Sequence, residues 1–183
     1  MASTSTPERI LGIDPGLNIT GYGVIEVTGR SPKLIEAGVI RGSAGSSLVN
    51  RVQEIYNGVT DVITTLEPDF VAIEELYSHY ERPKTAILMG HARGVICLAA
   101  TQGGAPVVHY AATQIKKILT GNGRASKLQM QMAIQREFGL AEPPDPPDVA
   151  DALAIAVCHH YLSKTQVVQK GVRYRSGASH NGT

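Results

Sequence analysis

Between residues 82 and 136 the chain carries not one aspartate or glutamate, although 18% of its residues are charged. Other absences narrow the field further. No apolar run approaches the roughly 20 residues needed to cross a bilayer, which excludes a membrane-spanning helix. Residues 1–7 have no basic region followed by an apolar segment, so no secretory signal is expected. The two cysteines, Cys97 and Cys158, have no CxxC spacing. They read as reduced core thiols of a cytoplasmic protein rather than as a disulfide or a zinc site. There is no HExxH, HxxxH or Cys/His cluster, and no GxxxxGK[ST], so zinc hydrolysis and a P-loop are excluded.

What is present is segregated. Residues 1–81 hold five Lys/Arg against eleven Asp/Glu, and residues 137–151 hold five acids and no base. The acid-free block between them holds eight bases, among them Arg82, Lys84, Lys116, Lys117, Arg124 and Lys127. Four more bases follow residue 151. A basic block suits a polyanionic partner, because neutralised phosphates release condensed counterions. A solvated basic face without a partner is the competing explanation.

At 183 residues the chain fits one domain with a sizeable core. Apolar runs at 9–14, 21–27 and 33–40, joined by turn-like segments, predict three antiparallel strands. Ser46 or Ser47 opens a helix on which Leu48, Val52, Ile55, Val59, Ile63 and Leu66 recur at helical spacing. Further strands are expected at 70–76 and 106–110. Helices are expected at 84–101, 113–119, 126–138 and 148–162. This order predicts an α/β fold with a mixed five-stranded sheet and helices on both faces. The single domain is expected to span residues 8–164, flanked by disordered tails at 1–7 and, basic in character, at 165–183.

Three elements carry an acid where an acid is costly. Asp14 ends the first apolar strand and precedes Pro15-Gly16; Glu74 and Glu75 end the fourth; Asp148 and Asp151 open the last helix, three residues apart on one face. Carboxylates from separate elements can hold hard divalent cations, and two such ions suit phosphodiester hydrolysis. Each acid also has a plain explanation: a turn residue, a strand emerging into solvent, or an N-cap and a first-turn acid facing the helix dipole. The strand pattern alone leaves Glu74 and Glu75 undistinguished.

Gly12-Ile-Asp-Pro-Gly16, Thr20-Gly-Tyr-Gly-Val24, Ala72-Ile-Glu-Glu75, Gly90-His-Ala-Arg-Gly94 and the run Asp148–Ala156 closely resemble motifs of the RuvC family of bacterial Holliday junction resolvases. The resemblance covers about residues 9–162. It implies a ribonuclease-H-like fold and resolution of four-way DNA junctions by paired symmetric nicks in recombination and repair. It further implies Mg²⁺ or Mn²⁺ as cofactor with two ions per site, a homodimer, and partnership with the RuvA–RuvB branch-migration complex. Carried over by position, the catalytic and metal-binding carboxylates fall on Asp14, Glu74, Asp148 and Asp151, which selects Glu74 over Glu75. The junction-facing aromatic falls on Tyr77, where many relatives have phenylalanine. Two DNA-facing lysines fall on Lys116 and Lys127; Lys117, Arg124, Arg82 and Lys84 join them by charge alone. The helix at 84–101 corresponds to the family's dimer helix. Two other classes compete: an ATPase of the actin and sugar-kinase type, for which no second Asp-x-Gly turn is found, and a junction-binding module without catalysis.

Overall fold

The computed structural model describes residues 6–29, 31–43, 45–76 and 83–173, with side chains described from 84 to 163 in the last segment. Its elements are β1 (Glu8–Asp14), β2 (Ile19–Thr28), β3 (Ser31–Arg41), α1 (Leu48–Leu66), β4 (Phe70–Glu74), α2 (Pro83–Gln102), β5 (Val107–Tyr110), α3 (Ala112–Thr120), α4 (Lys127–Phe138) and α5 (Pro147–Arg173). The strands form one mixed sheet in the order β3-β2-β1-β4-β5. β1–β2 and β2–β3 are antiparallel, whereas β1–β4 and β4–β5 are parallel. The expected α/β architecture with a five-stranded mixed sheet is therefore the observed one.

Composition explains the order. Ile10, Leu11 and Ile13 are all fully buried, as a strand covered on both faces must be, and β1 takes the centre. β3 alternates exposed Lys33 and Glu36 with half-buried residues and takes an edge, where charge discourages further pairing. Helix ends follow local chemistry. Ser47 caps α1 by accepting from the Asn50 N–H at 3.2 Å, and Ser126 with Gln129 forms a capping box on α4. Gly121, at φ 75°, ends α3 in the left-handed conformation that glycine adopts without penalty.

Strand parity sorts the apolar side chains onto two faces. Leu11, Ile13, Val71 and Ile73 pack with α1 and α2, while Ile10, Ile25 and Ala72 pack with α5, α3 and α4. Apart from half-buried Asp151, α5 is buried from Val149 to His160 and mostly apolar, because it lies between the sheet and the outer pair α3 and α4. Most element ends shift from the sequence expectation by one or two residues, and one shifts further. β4 stops at Glu74 rather than reaching residue 76, and α5 runs on to Arg173, past the boundary expected at 164.

Candidate functional site

Parallel pairing brings the first two acids together. β1 and β4 run side by side with Ile13 opposite Ile73, so their C-terminal residues, Asp14 and Glu74, share one end of the sheet. Both have the parity of Gly12 and Ala72, so both point to the α5 face. Glu75 has the opposite parity and is exposed. Topology thus separates the two glutamates that the apolar pattern left equivalent.

α5 delivers the other two. Asp148 lies in its first turn, directly after Pro147 at the position where proline's missing N–H is harmless. Asp151 follows one turn on. The helix reaches the carboxylate end of the sheet because glycines let it press close. A Cβ at Gly12 would lie 2.1 Å from the Ala152 carbonyl oxygen and 2.7 Å from the Ala156 nitrogen. One at Gly21, which pairs with Asp14 across β1–β2, would lie 2.1 Å from the Asp148 carbonyl oxygen. Gly21 and Gly23 are thus positions where β2 packs closely against α5.

The four carboxylates feel one another. Burial first, then the charges of Asp151, Glu74 and Asp148, push Asp14 up to about 7, with Lys127 opposing. Burial and Asp151 raise Glu74, which Lys116, Arg93 and Lys127 draw back down. Burial likewise raises Asp151, opposed by Lys127 and Lys116. Lys127 Nζ stands 4.0 Å from Asp151 Oδ2, but the lysine is 80% exposed and such a pair stabilises little. Among the described residues no group of three or more His, Cys, Asp or Glu side chains is closed into a ligand shell. The carboxylates face one another at field range. The donor set is all oxygen and from three elements, which fits a hard divalent cation of the Mg²⁺ or Mn²⁺ kind rather than zinc.

Of the basic residues singled out in the sequence, Lys116 on α3 and Lys127 at the first turn of α4 act on the carboxylates. Lys117, Arg124 and Lys84 are exposed, and their charges enter none of the shifts of Asp14, Glu74 and Asp151. Tyr77 and Arg82 lie outside the described residues. One residue at the site was singled out in the sequence only as part of a motif: Arg93 of α2 donates from Nη1 to the Glu74 backbone carbonyl, and its Nη2 lies 2.7 Å from His109 Nδ1. Together with Asp14, Pro15, Glu74, Glu75, Leu76 and Met89 it lines a cavity of about 30 Å³. A larger open groove of about 790 Å³, lined by residues of α3, α4 and the Tyr161 end of α5, contains none of the four carboxylates.

The paired histidines of α5 belong to the core. His159 Nδ1 lies 2.8 Å from Tyr110 Oη, its ring lies 4.8 Å from that of Phe70, and burial with the neighbouring His160 pushes it down to about 4. It is neutral at physiological pH and packs rather than ligates.

Known proteins resemble this chain along most of its length. The family model described as crossover junction endodeoxyribonuclease RuvC matches residues 10–159. The crossover junction endodeoxyribonuclease RuvC of Rhodopirellula baltica is 53% identical over 160 residues, covering 87% of this chain and 90% of that protein. The RuvC of Desulforamulus reducens is 44% identical over 156 residues, covering 85% and 95%. Among solved structures, T. thermophilus RuvC in complex with Holliday junction substrate superposes with a TM-score of 0.81 at 33% identity, covering 87% of this chain and 96% of that one.

Proposed function

The chain belongs to the RuvC family of crossover junction endodeoxyribonucleases, and from that premise we propose that it resolves four-way DNA junctions by paired symmetric nicks, each cut at a site built from Asp14, Glu74, Asp148 and Asp151. The observation that carries the site assignment is the convergence at Asp14: burial first, then the charges of Asp151, Glu74 and Asp148, raise it. Clustered, partly buried like charges are unfavourable unless a cation or a proton answers them.

The nuclease depends on a divalent metal, and we propose two Mg²⁺ or Mn²⁺ ions per site. When bound, such a pair supplies an activated water and relief for the charge that builds on the leaving oxygen. Asp14, central in the sheet and coupled to all three partners, would hold the metal together with Glu74, Asp148 and Asp151. Lys116 and Lys127 stand on the helix side of the cluster, where an ammonium can meet the phosphates flanking the cut. Lys117, Arg124 and Lys84 extend the basic surface; Arg82 joins them by charge alone, and Tyr77, three residues after Glu74 in the sequence, is the candidate for stacking on an unpaired base.

A junction presents two equivalent strands, so a two-fold protein matches it. The homodimer we propose uses α2. Ile87 and Leu98 are exposed on it at 63% and 51%, and a Cβ at Gly90 or Gly94 would meet nothing within 4 Å. Small and apolar residues left uncovered on one helix suit a second copy of the same helix. Cytoplasmic location and cooperation with RuvA–RuvB complete the proposal by family. Residues 8–164 are the proposed nuclease domain.

The test is cleavage of a mobile four-way junction, mapped at nucleotide resolution in Mg²⁺ and in Mn²⁺. Wild-type protein leaves symmetric, ligatable nicks. Asp14→Asn and Asp151→Asn still bind the junction and lose cutting by at least about a hundredfold, the scale of removing one charge-stabilising group. Wild-type rates from Asp14→Asn refute the assignment.

A further inference from the structure

We infer that Arg93 is a positioning residue for Glu74: its guanidinium supplies the hydrogen bond that the β1–β4 ladder cannot, because the residue due to donate is Pro15. The inference rests on the reading of Glu74 given above.

The Val71 N–H donates to the Pro106 carbonyl at 3.0 Å and the Glu75 N–H to the Tyr110 carbonyl at 2.8 Å, so the odd-numbered residues of β4 turn their backbone groups toward β5. Ala72 and Glu74 turn theirs toward β1. With Ile13 opposite Ile73 in a parallel pair, the Glu74 carbonyl is due to accept from the N–H of residue 15. Proline has none. β1 and β4 both end at this step. The residue that carries this strand-end carbonyl is the one whose side chain faces Asp14.

Arg93 meets that carbonyl from the opposite face. Nη1 donates to it while Nη2 reaches His109 Nδ1 at 2.7 Å on β5. A planar fork held at both tips fixes the end of β4 more firmly than a single flexible ammonium could. The same charge also favours the ionised form of Glu74. The Asp-Pro-Gly turn and the arginine of Gly90–Gly94 thus complete one another: the proline that turns the chain after Asp14 creates the vacancy in the ladder that the arginine fills.

An arginine that merely ties α2 to the sheet would change stability and leave metal affinity alone. Full-length Arg93→Met and Arg93→Lys are compared with wild type in three measurements: single-turnover cutting at saturating junction, junction affinity in Ca²⁺, and Mn²⁺ binding to DNA-free protein by calorimetry. Arg93→Met is expected to lose about tenfold to a hundredfold in both cutting and Mn²⁺ affinity, the scale of losing a group that orients a metal ligand. Junction affinity stays within about twofold of wild type if the loss is confined to placing Glu74. Arg93→Lys, which keeps one donor, falls between. Pro15→Ala added to Arg93→Met returns an N–H at residue 15 and regains part of the Mn²⁺ affinity. Unchanged Mn²⁺ affinity in Arg93→Met overturns the inference, and so does the absence of any regain in the double variant. If Arg93→Met does not fold, Arg93→Lys decides: Mn²⁺ affinity equal to wild type refutes it. Should wild type itself leave the junction uncut, the nuclease reading fails while the calorimetry still tests Arg93.

Discussion

The place where a Cβ of Gly12 would lie is 2.1 Å from the carbonyl oxygen of Ala152, the residue after Asp151. Glycine at this point of β1 sets how near α5 comes, and hence how near Asp151 comes to Asp14. Gly12→Ala is expected to destabilise the fold by at least about 1–3 kcal/mol, as overpacking does. It should reduce cutting further than the loss of folded protein accounts for, since α5 must move. Gly23→Ala meets the Leu153 Cδ2 at 2.5 Å, the end of a side chain that can rotate, and should be the milder change. Urea unfolding with single-turnover cleavage of both variants checks the order; equal effects would argue against helix approach as the controlling distance.

Asp14 gives the metal-free protein a pH dependence of known sign. Its folded pKa, about 7, lies above the ordinary 3.8, so the folded state binds this proton more tightly than the unfolded chain does. The corresponding stability is fully present below pH about 4 and is lost as pH rises through 7. Asparagine lacks this dependence. In chelator at pH 8, Asp14→Asn should be more stable than wild type by up to about 4 kcal/mol, taking about 1.4 kcal/mol per pH unit. The gap should close near pH 4. Adding Mg²⁺ at pH 8 should stabilise wild type more than the variant. A gap independent of pH would refute this account.

Lys127 is expected to matter for DNA and hardly at all for folding. It is 80% exposed, and its approach to Asp151 is a loose 4.0 Å. Lys127→Gln should leave stability within about 0.5 kcal/mol. Its junction affinity should fall, with the slope of log affinity against log salt reduced by about one, as the loss of a single phosphate contact requires. A salt titration of junction binding measures this, and an unchanged slope would remove Lys127 from the interface.

The α2 surface predicts an assembly that a single charge can break. Leu98→Glu places a carboxylate on the face that carries Ile87, Gly90 and Gly94. Sedimentation should show a folded monomer where wild type is a dimer. Its melting temperature, compared at concentrations where both are monomeric, should hardly move, because Leu98 is already 51% exposed in the chain alone. A dimer of undiminished affinity would place the contact elsewhere.

Much of this was legible in the sequence because it is local. The apolar run of β1, the Ser47 cap and the helical spacing on α1 each depend on neighbours within a few residues. The late end of α5 was missed because beyond Leu162 the apolar spacing thins. Arg93 was noted only inside a motif, because the vacancy it fills appears only when residue 15 is set beside residue 74.

The sequence by itself determined which residues could make a site of this kind: acids ending apolar elements, and a 55-residue block of bases without an acid. Its apolar and charge patterns, without the family resemblance, could not choose between Glu74 and Glu75, nor say that Lys116 and Lys127 rather than Lys117 and Arg124 act on the acids. Those choices were made by the register of two parallel strands and by a helix pressed against glycines. Both relate residues far apart in the chain, and the physical reason is general. A side chain's face is fixed by local geometry, but the charge it meets there is decided by which elements pack together.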